Sequence, residues 1–306
     1  MALVSRLDGS RGWRDRLGAA GLSARALLGR PLEELGDWPG LSREELSRDP
    51  LPWLALREGE LEGMYAAWSS GSSGQGPLAV PRFDVDGEDR LARFAEAARA
   101  RGVDLSSARC GAFLCALPGR PEPLTWLGQA RTVPVQRLSL LKDGWAERLC
   151  ALAPDFWTLS PAGLARVLAS GASVPSPRVV LSTALQLPGE LRREAERRLR
   201  CPVVDLFSTA ETGPFAAGCP ADGRHFHVLT GGAFVRVDAG GLRVTRLGDS
   251  PLPLLNYLVA DRAAGLASAC PSCRHSGPTL LGLTGRTLSE KGEHSTAAFL
   301  PRAPAT

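Results

Sequence analysis

The sequence of 306 residues contains almost no lysine, because Lys142 and Lys291 are the only two and arginine supplies the remaining positive charge. The arginines are spread among aspartates and glutamates, and the formal net charge is only +4. No basic run with interleaved aromatic residues occurs, as nucleic-acid-binding surfaces usually require. We therefore expect no nucleic-acid partner.

Long apolar runs are also missing. No stretch approaches the roughly 20 apolar residues that a membrane-spanning helix needs. The first residues, MALVSRLDGSRGWRDRL, contain no apolar segment of signal-peptide length. The sequence predicts no membrane partner and a cytoplasmic location, and its 44% hydrophobic and 22% charged residues are typical of a globular protein with a sizeable core.

Cysteine is present in an odd number, seven, which argues against a disulfide framework. Cys270 and Cys273 have the Cys-x2-Cys spacing of metal ligands, and Cys219 and His227 precede them, with His225 as the alternative histidine. Three thiolates and one imidazole form a closed tetrahedral set for Zn²⁺, with no position left for water, so such a zinc would be structural. Three reduced surface cysteines with a core histidine, or a redox dithiol, are the alternatives.

Hydrophobic periodicity predicts an α/β fold. Strand 178–182, helix 188–200 and strand 202–208 follow one another at the spacing of a βαβ unit with a parallel sheet. The segment DGEDRLARFAEAARARG has helical spacing, whereas GAFLCAL suits either a strand or a buried helix. Beyond Gly213, apolar alternation around glycine turns indicates antiparallel β-structure.

The segment SSGSSGQGP, residues 69–77, is the most unusual stretch of the chain. Glycine- and serine-rich runs are flexible linkers by default. The same residue types also build phosphate-binding loops, because glycine lets the backbone approach the ligand and hydroxyls add donors. Composition alone favours the linker, and the segments around this stretch have to decide between the two interpretations.

Four segments in order resemble the adenylate-forming superfamily, and within it the phenylacetate–CoA ligase branch. They are SSGSSGQGP, FSTAETGP, PLLNYLVADRA and CPSCRHSGPTLLGLTGR, and the preceding WPGLSREELSRDP is similar to that family's lead-in. The resemblance covers roughly residues 40–286. It implies the large N-terminal domain of an adenylate-forming enzyme, with a parallel sheet, flanking helices and a smaller β-rich subdomain. Some relatives in this branch carry a zinc site at corresponding places.

The resemblance also implies a nucleotide site for ATP and Mg²⁺. Glu211 would ligate Mg²⁺, Thr209 would contact the α-phosphate, and the alternative for Glu211 is a solvated carboxylate in a surface turn. Asp261 would bind the ribose hydroxyls and Arg286 the ribose or phosphate. The rest of the predicted nucleotide-binding set comprises Ser69, Ser70, Gly71, Ser72, Ser73 and Gly74 of the phosphate loop, Thr183 and Ala184 at the adenine, and Phe207 and Ser208 beside it.

Several positions depart from the family pattern. The loop carries Gln75-Gly76-Pro77 where the family often has a lysine, and Leu185 replaces a glutamate of the adenine segment. Only about twenty residues follow Arg286, whereas the family has a further catalytic domain of roughly a hundred residues there. We therefore divide the chain into a helical lead-in (1–67), an α/β nucleotide-binding core (68–213), a β-rich subdomain with the zinc site (214–286) and a tail (287–306) without that domain.

The implied reaction is the ATP-dependent activation of a small carboxylic acid as an acyl-adenylate. Coenzyme A or a carrier protein would be the acceptor, and a partner protein would supply the missing domain. Phe113, Leu114 and Leu187 are candidate lining residues of an apolar acyl pocket, unless they are plain core. The alternative is a catalytically inactive ligase-like subunit that binds a nucleotide, an acyl-adenylate or a protein partner.

Overall fold

A computed structural model of the chain describes residues 2–62, 64–68, 78–83, 85–115, 133–259 and 261–283. The α-helices of these segments are α1 (Ala2–Gly9), α2 (Arg11–Ala19), α3 (Arg43–Arg48), α4 (Val85–Arg99), α5 (Trp145–Leu152), α6 (Pro161–Ala169) and α7 (Gly189–Leu199). The strands are β1 (Met64–Trp68), β2 (Ala79–Phe83), β3 (Gly111–Cys115), β4 (Val135–Ser139), β5 (Phe156–Leu159), β6 (Val179–Ser182), β7 (Val203–Thr209), β8 (Gly213–Gly218), β9 (Phe226–Val228), β10 (Ala233–Asp238), β11 (Gly241–Arg246), β12 (Tyr257–Val259), β13 (Gly265–Ala267) and β14 (Thr279–Leu281). Short 3₁₀ helices lie at Ala24–Leu27, Leu32–Asp37 and Leu51–Trp53.

One nine-stranded sheet dominates the structure, in the order β13-β14-β9-β8-β7-β6-β5-β3-β4. Strands β4, β3, β5, β6 and β7 run parallel to one another. Strands β8, β9, β14 and β13 continue the sheet beyond β7, each antiparallel to its neighbour. Strands β5 and β6 are buried over their whole length, as expected for parallel strands covered on both faces. The parallel sheet and the separate β10–β11–β12 sheet confirm the predicted fold class.

Helices cover both faces of the parallel strands. Leu191, Ala195 and Leu199 form the buried stripe of α7 and pack on one face with Val180 of β6. Leu181, the next residue of β6, belongs to the cluster on the other face, which contains α4. Because successive strand residues point to opposite faces, one short apolar strand serves both layers.

Local sequence signals account for several helix starts. Ser160 caps α6 by accepting the N–H of Gly163, and Ser42 and Glu45 form a complete capping box at α3. Residues 111–115 of the ambiguous segment GAFLCAL form strand β3, and the predicted βαβ unit is confirmed as β6, α7 and β7. Among the described helices, none has both the length and the apolar character needed to cross a membrane.

The N-terminal lead-in is attached to the C-terminal half of the chain. The indole N–H of Trp13 donates to the carbonyl oxygen of Pro253 at 2.9 Å. Asn256 donates from its side-chain amide to the carbonyl oxygens of Leu35 (2.6 Å) and Trp38 (3.1 Å). These buried bonds fix the segment that leads into α3.

Two of the predicted segment boundaries fall on described residues, and both lie within strands. Strand β1 stands at the end of the predicted helical lead-in and pairs antiparallel with β2. Residue 213 falls where β7 turns into β8, and these two strands are hydrogen-bonded neighbours in the large sheet. The predicted tail, 287–306, lies outside the described residues.

Candidate functional site

Glu211 lies between β7, the last parallel strand, and β8; residues 209–213 are here named the Glu211 turn. The Thr209 hydroxyl accepts the N–H of Thr212 at 3.1 Å, and the Thr212 hydroxyl donates to the carbonyl oxygen of Gly213 at 2.8 Å. Gly213 has a φ of +69°, which glycine adopts without strain. The turn is thus internally bonded and lies at the carboxyl end of β7, where α/β proteins bind ligands.

The Glu211 side chain forms a buried ion pair with Arg43. Nη1 of Arg43 lies 2.7 Å from Oε1 of Glu211, and the two side chains are only 7% and 2% exposed. This burial excludes the alternative of a solvated surface carboxylate. A buried carboxylate is held by its partners, because desolvation without one is costly. Arg43 is in the first turn of α3, so the lead-in contributes directly to this site.

Strand β2 also contacts the Glu211 turn. Arg82 of β2 donates from Nη2 to the carbonyl oxygen of Ala210. In the sequence, β1 and β2 stand on either side of the segment SSGSSGQGP, and Trp68 is paired with Ala79. The strand that follows this segment is therefore fixed to the turn that carries Glu211.

Strands β6 and β7 are parallel neighbours, so the segment that follows β6 begins at the same edge of the sheet at which β7 ends. The N–H of Thr183 donates to the carbonyl oxygen of Leu159 at 2.9 Å, and Ala184 has a φ of +78°, which is strained for a residue with a side chain. The N–H of Leu187 donates to a carboxylate oxygen of Asp205 at 3.1 Å. Thr183 and Ala184 thus lie at the same sheet edge as the Glu211 turn.

Asp205 is a buried carboxyl group that the sequence analysis did not single out. Burial raises its pKa to about 6, and the hydrogen bond from Leu187 and the charge of Arg192 oppose this shift only in part. Its position in the middle of β7, under the segment 183–187, gives it the role of holding that segment.

Phe207 and Ser208 are both half-buried at the irregular end of β7. The ring of Phe207 lies 4.8 Å from that of Phe215 and 5.9 Å from that of Phe226, in the aromatic part of the core. The structure therefore shows Phe207 packed against other aromatic rings, and its place beside an adenine stays a prediction.

Asp261 is 7% exposed and follows β12 by two positions. The remaining predicted nucleotide-binding residues lie outside the described parts of the chain: Ser69, Ser70, Gly71, Ser72, Ser73, Gly74 and Arg286.

The three predicted acyl-pocket residues are not brought together. Leu114 and Leu187 belong to the apolar cluster that contains α6 and α7. Phe113 packs against the cluster on the opposite face, and the Arg137 guanidinium lies 5.8 Å from its ring centre. Adjacent residues of a strand point to opposite faces, so Phe113 and Leu114 line different layers.

The predicted metal ligands do come together. The ligand atoms of Cys219, His227, Cys270 and Cys273 all lie within 4.8 Å of one another. Sγ of Cys219 is 3.7 Å from Sγ of Cys270, and Sγ of Cys273 is 3.2 Å from Nε2 of His227. Within the described segments, no other group of three or more His, Cys, Asp or Glu side chains is arranged to hold a metal ion.

The chemistry of this cluster fits a metal ion. Cys219 and Cys270 are buried, which excludes the alternative of surface cysteines, and His225 lies outside the group, beside Ser272. Burial, with smaller effects of His275 and His225, lowers the pKa of His227 to about 4. The imidazole is therefore neutral at pH 7, the form that binds metal.

Backbone bonds hold the cluster in place. The N–H of Cys219 donates to the carbonyl oxygen of His225, and the N–H of Cys270 donates to that of His275, both at 2.8 Å. Arg192 of α7 donates to the carbonyl oxygen of Cys219 at 3.2 Å. The cluster thus joins β8, β9 and the segment before β14 to α7.

No protein-family model and no curated protein matches the sequence. Among solved structures, the open conformation of a 2-hydroxyisobutyryl-CoA ligase in complex with 2-HIB-AMP and CoA is similar, with a TM-score of 0.62 and 16% sequence identity. The similarity covers 92% of this chain and 71% of the ligase chain. The chain therefore shares the fold of the matched part of that ligase.

Two further solved structures are similar over smaller parts. E. coli MenE with a bound analogue of OSB-AMS has a TM-score of 0.46 at 18% identity, over 72% of this chain and 47% of MenE. A benzoate CoA ligase from Burkholderia xenovorans LB400 has a TM-score of 0.45 at 15% identity, over 69% of this chain and 47% of that ligase. The chain thus spans about half the length of these two enzymes.

Sequence reasoning missed the arginines around Glu211. The capping box identified the start of α3, but nothing local showed that Arg43 reaches Glu211. Arg82 and Arg93 are likewise ordinary charged residues in the sequence, and both are 2% exposed in the fold. The available signal was compositional: a chain with two lysines depends on arginine for every other cation.

Proposed function

We propose that this protein activates a small carboxylic acid with ATP and Mg²⁺ to form an acyl-adenylate. A carboxylate oxygen of the acid attacks the α-phosphorus of ATP. The bond from that phosphorus to the oxygen that bridges the α- and β-phosphates breaks, and pyrophosphate leaves. The observation that carries the proposal is the buried Glu211 at the carboxyl end of β7, opposite Arg43 and tied to β2, within a ligase fold.

Different residues would contact the metal ion, the phosphates and the nucleoside. Mg²⁺ prefers oxygen ligands, so Glu211 is the residue that would hold it, and the bound ion would neutralise phosphate charge. Thr209 would contact the α-phosphate from the same turn. Arg43 adds a fixed positive charge beside Glu211, in a chain whose segment 69–77 contains no cation. Asp261, Arg286, Thr183, Ala184, Phe207 and Ser208 remain the proposed contacts of the nucleoside.

The finer assignments are part of the same proposal. The order of the motifs supports a phenylacetate–CoA ligase-like enzyme, with coenzyme A or a carrier protein as acceptor and a partner protein where transfer needs further residues. The Cys₃His cluster supports structural Zn²⁺, because four protein ligands leave no position for water or substrate.

One observation favours a second candidate. Glu211 is already neutralised by Arg43 at 2.7 Å, so a magnesium ion competes with a guanidinium for this carboxylate. A catalytically inactive ligase-like subunit that binds a nucleotide, an acyl-adenylate or a protein partner would retain such a pair.

Exchange of pyrophosphate into ATP, measured with a panel of aryl and aliphatic carboxylic acids, tests both candidates. Glu211→Gln should abolish exchange, whereas Glu194→Gln, a matched change at an exposed ion pair on α7, should leave it unchanged. Nucleotide binding by calorimetry without exchange by the wild-type protein favours the inactive subunit. Absence of nucleotide binding overturns the proposed adenylation and leaves, for the inactive subunit, only the binding of an acyl-adenylate or a protein partner.

A further inference from the structure

Arg93 of α4 is a buried guanidinium that binds the backbone next to Glu211. Its Nη1 donates to the carbonyl oxygens of Pro214 at 2.7 Å and Thr212 at 3.3 Å. Its Nη2 donates to the carbonyl oxygen of Gly232 at 2.9 Å and to Asp89 at 2.7 Å. One side chain thus joins α4, the beginning of β8 and the segment before β10.

The fold makes specific room for this guanidinium. A Cβ atom at Gly232 would come within 2.3 Å of Nε of Arg93, so a larger residue at this position would displace the arginine. The Arg93 charge is partly balanced by Asp89, which also accepts from Arg246 at 3.2 Å. A buried charge of this kind destabilises the fold unless its hydrogen bonds are made, and here most of them go to backbone carbonyls.

Arg82 makes a similar contact on the N-terminal side of Glu211. It donates to the carbonyl oxygen of Ala210, so the carbonyls of Ala210, Thr212 and Pro214 are all held by guanidinium groups of the segment β2–α4. Those carbonyls flank Glu211 on both sides. This segment follows SSGSSGQGP directly in the sequence.

We infer that Arg93, together with Arg82, is a positioning residue that fixes the backbone on both sides of Glu211. This inference rests on the proposed function. Neither arginine needs to touch substrate, because both fix the backbone and leave the Glu211 side chain to pair with Arg43 or to bind Mg²⁺. Replacement of Arg93 should therefore raise KM for Mg·ATP, in addition to any loss of stability.

The test compares Arg93→Lys with Arg6→Lys in the full-length protein. Arg6 is the matched control, because it is 1% exposed, donates to the carbonyl oxygen of Ala55 at 2.7 Å and pairs with Glu60, in the lead-in. In the pyrophosphate exchange assay, Arg93→Lys should raise KM for Mg·ATP about five-fold or more, the effect of losing one strong hydrogen bond. Arg6→Lys should lower Tm without changing that KM.

Hydrogen exchange of the peptide covering residues 209–214 tests the positioning independently of activity. It should become faster in Arg93→Lys and stay unchanged in Arg6→Lys, and Gly232→Ala should reproduce the faster exchange. Unchanged protection of this peptide in Arg93→Lys overturns the inference, as does an equal change of KM in both arginine variants. If the wild-type protein binds no nucleotide, the proposed function is overturned. Hydrogen exchange of residues 209–214 still decides whether Arg93 holds the turn.

Discussion

Arg43 and Glu211 lie 168 residues apart in the sequence and form one ion pair, in which both side chains are almost completely buried. The pair connects the lead-in helix α3 to the turn after the last parallel strand. The candidate site is therefore built by two distant parts of the chain, and its stability depends on both.

The first prediction concerns this pair. Arg43→Met should lower the free energy of unfolding by about 3–5 kcal/mol, because it leaves the Glu211 carboxylate buried without its counter-charge. In the double variant Arg43→Met/Glu211→Gln, roughly half of that loss should be recovered, since no uncompensated charge remains. Urea unfolding measures both values.

The exposed pair of Arg30 and Glu34 is the control for this cycle. Arg30→Met should cost less than about 1 kcal/mol, because water screens an exposed ion pair. Additive losses at positions 43 and 211 would show that the two side chains do not stabilise each other.

The second prediction concerns the Cys₃His cluster. Freshly purified protein should contain about one Zn²⁺ per chain, and Cys273→Ser should reduce this content because one of the four ligands is lost. A strong chelator should lower Tm of the wild-type protein. Elemental analysis and thermal unfolding measure these effects.

Cys150→Ser is the matched change, because Cys150 is exposed and lies outside the cluster. It should retain the full zinc content and the Tm of the wild type. Equal metal content in the two serine variants would rule the cluster out as the metal site.

The third prediction uses the titration of Asp205. Burial raises its pKa from 3.8 to about 6, so the folded state binds the proton more tightly than the unfolded chain. Between about pH 4 and pH 6 the group's contribution to the free energy of unfolding must fall as pH rises, by on the order of 2–3 kcal/mol. Asp205→Asn should remove this slope.

Urea unfolding at pH 4.5, 5.5 and 7 compares the two proteins. Asp104→Asn, a change at an exposed carboxylate, should retain the downward slope that Asp205 causes. If the free energy of unfolding changes by the same amount between pH 4.5 and pH 7 in the wild type and in Asp205→Asn, the assignment is contradicted.

The fourth prediction tests the packing of the parallel strands. Gly111 of β3 lies opposite Phe156 of β5, and a Cβ atom at this glycine would come within 2.3 Å of the phenyl ring. Gly111→Ala should therefore destabilise the fold by about 1–3 kcal/mol, as overpacking does.

Gly18 in α2 provides the opposite case, since a Cβ atom there meets nothing within 4 Å. Gly18→Ala should stabilise the protein by about 0.5–1 kcal/mol through helix propensity. A neutral Gly111→Ala variant in the same unfolding assay would contradict the close approach of β3 and β5.

Much of the fold was predictable because its signals are local. The apolar run at Val179–Ser182, the stripe of α7 and the cap at Ser160 each depend on neighbours a few residues away. The Cys₃His cluster was predictable for a different reason, since the spacing of its cysteines and histidines in the sequence is that of metal ligands. Phe113 and Leu114 show the limit: an apolar pair in a sequence does not reveal which layer each residue enters.

The sequence by itself determined the α/β class, the βαβ unit and the three cysteines of the Cys₃His cluster, with His227 or His225 as the fourth member, because propensity, periodicity and residue spacing act over short distances. Only the tertiary structure decided that Arg43, Arg82 and Arg93 converge on the Glu211 turn and that Asp205 holds the segment after β6. The physical reason is that a long guanidinium or a buried carboxylate finds its partners among backbone groups and charges brought near by packing, and no local pattern encodes that proximity.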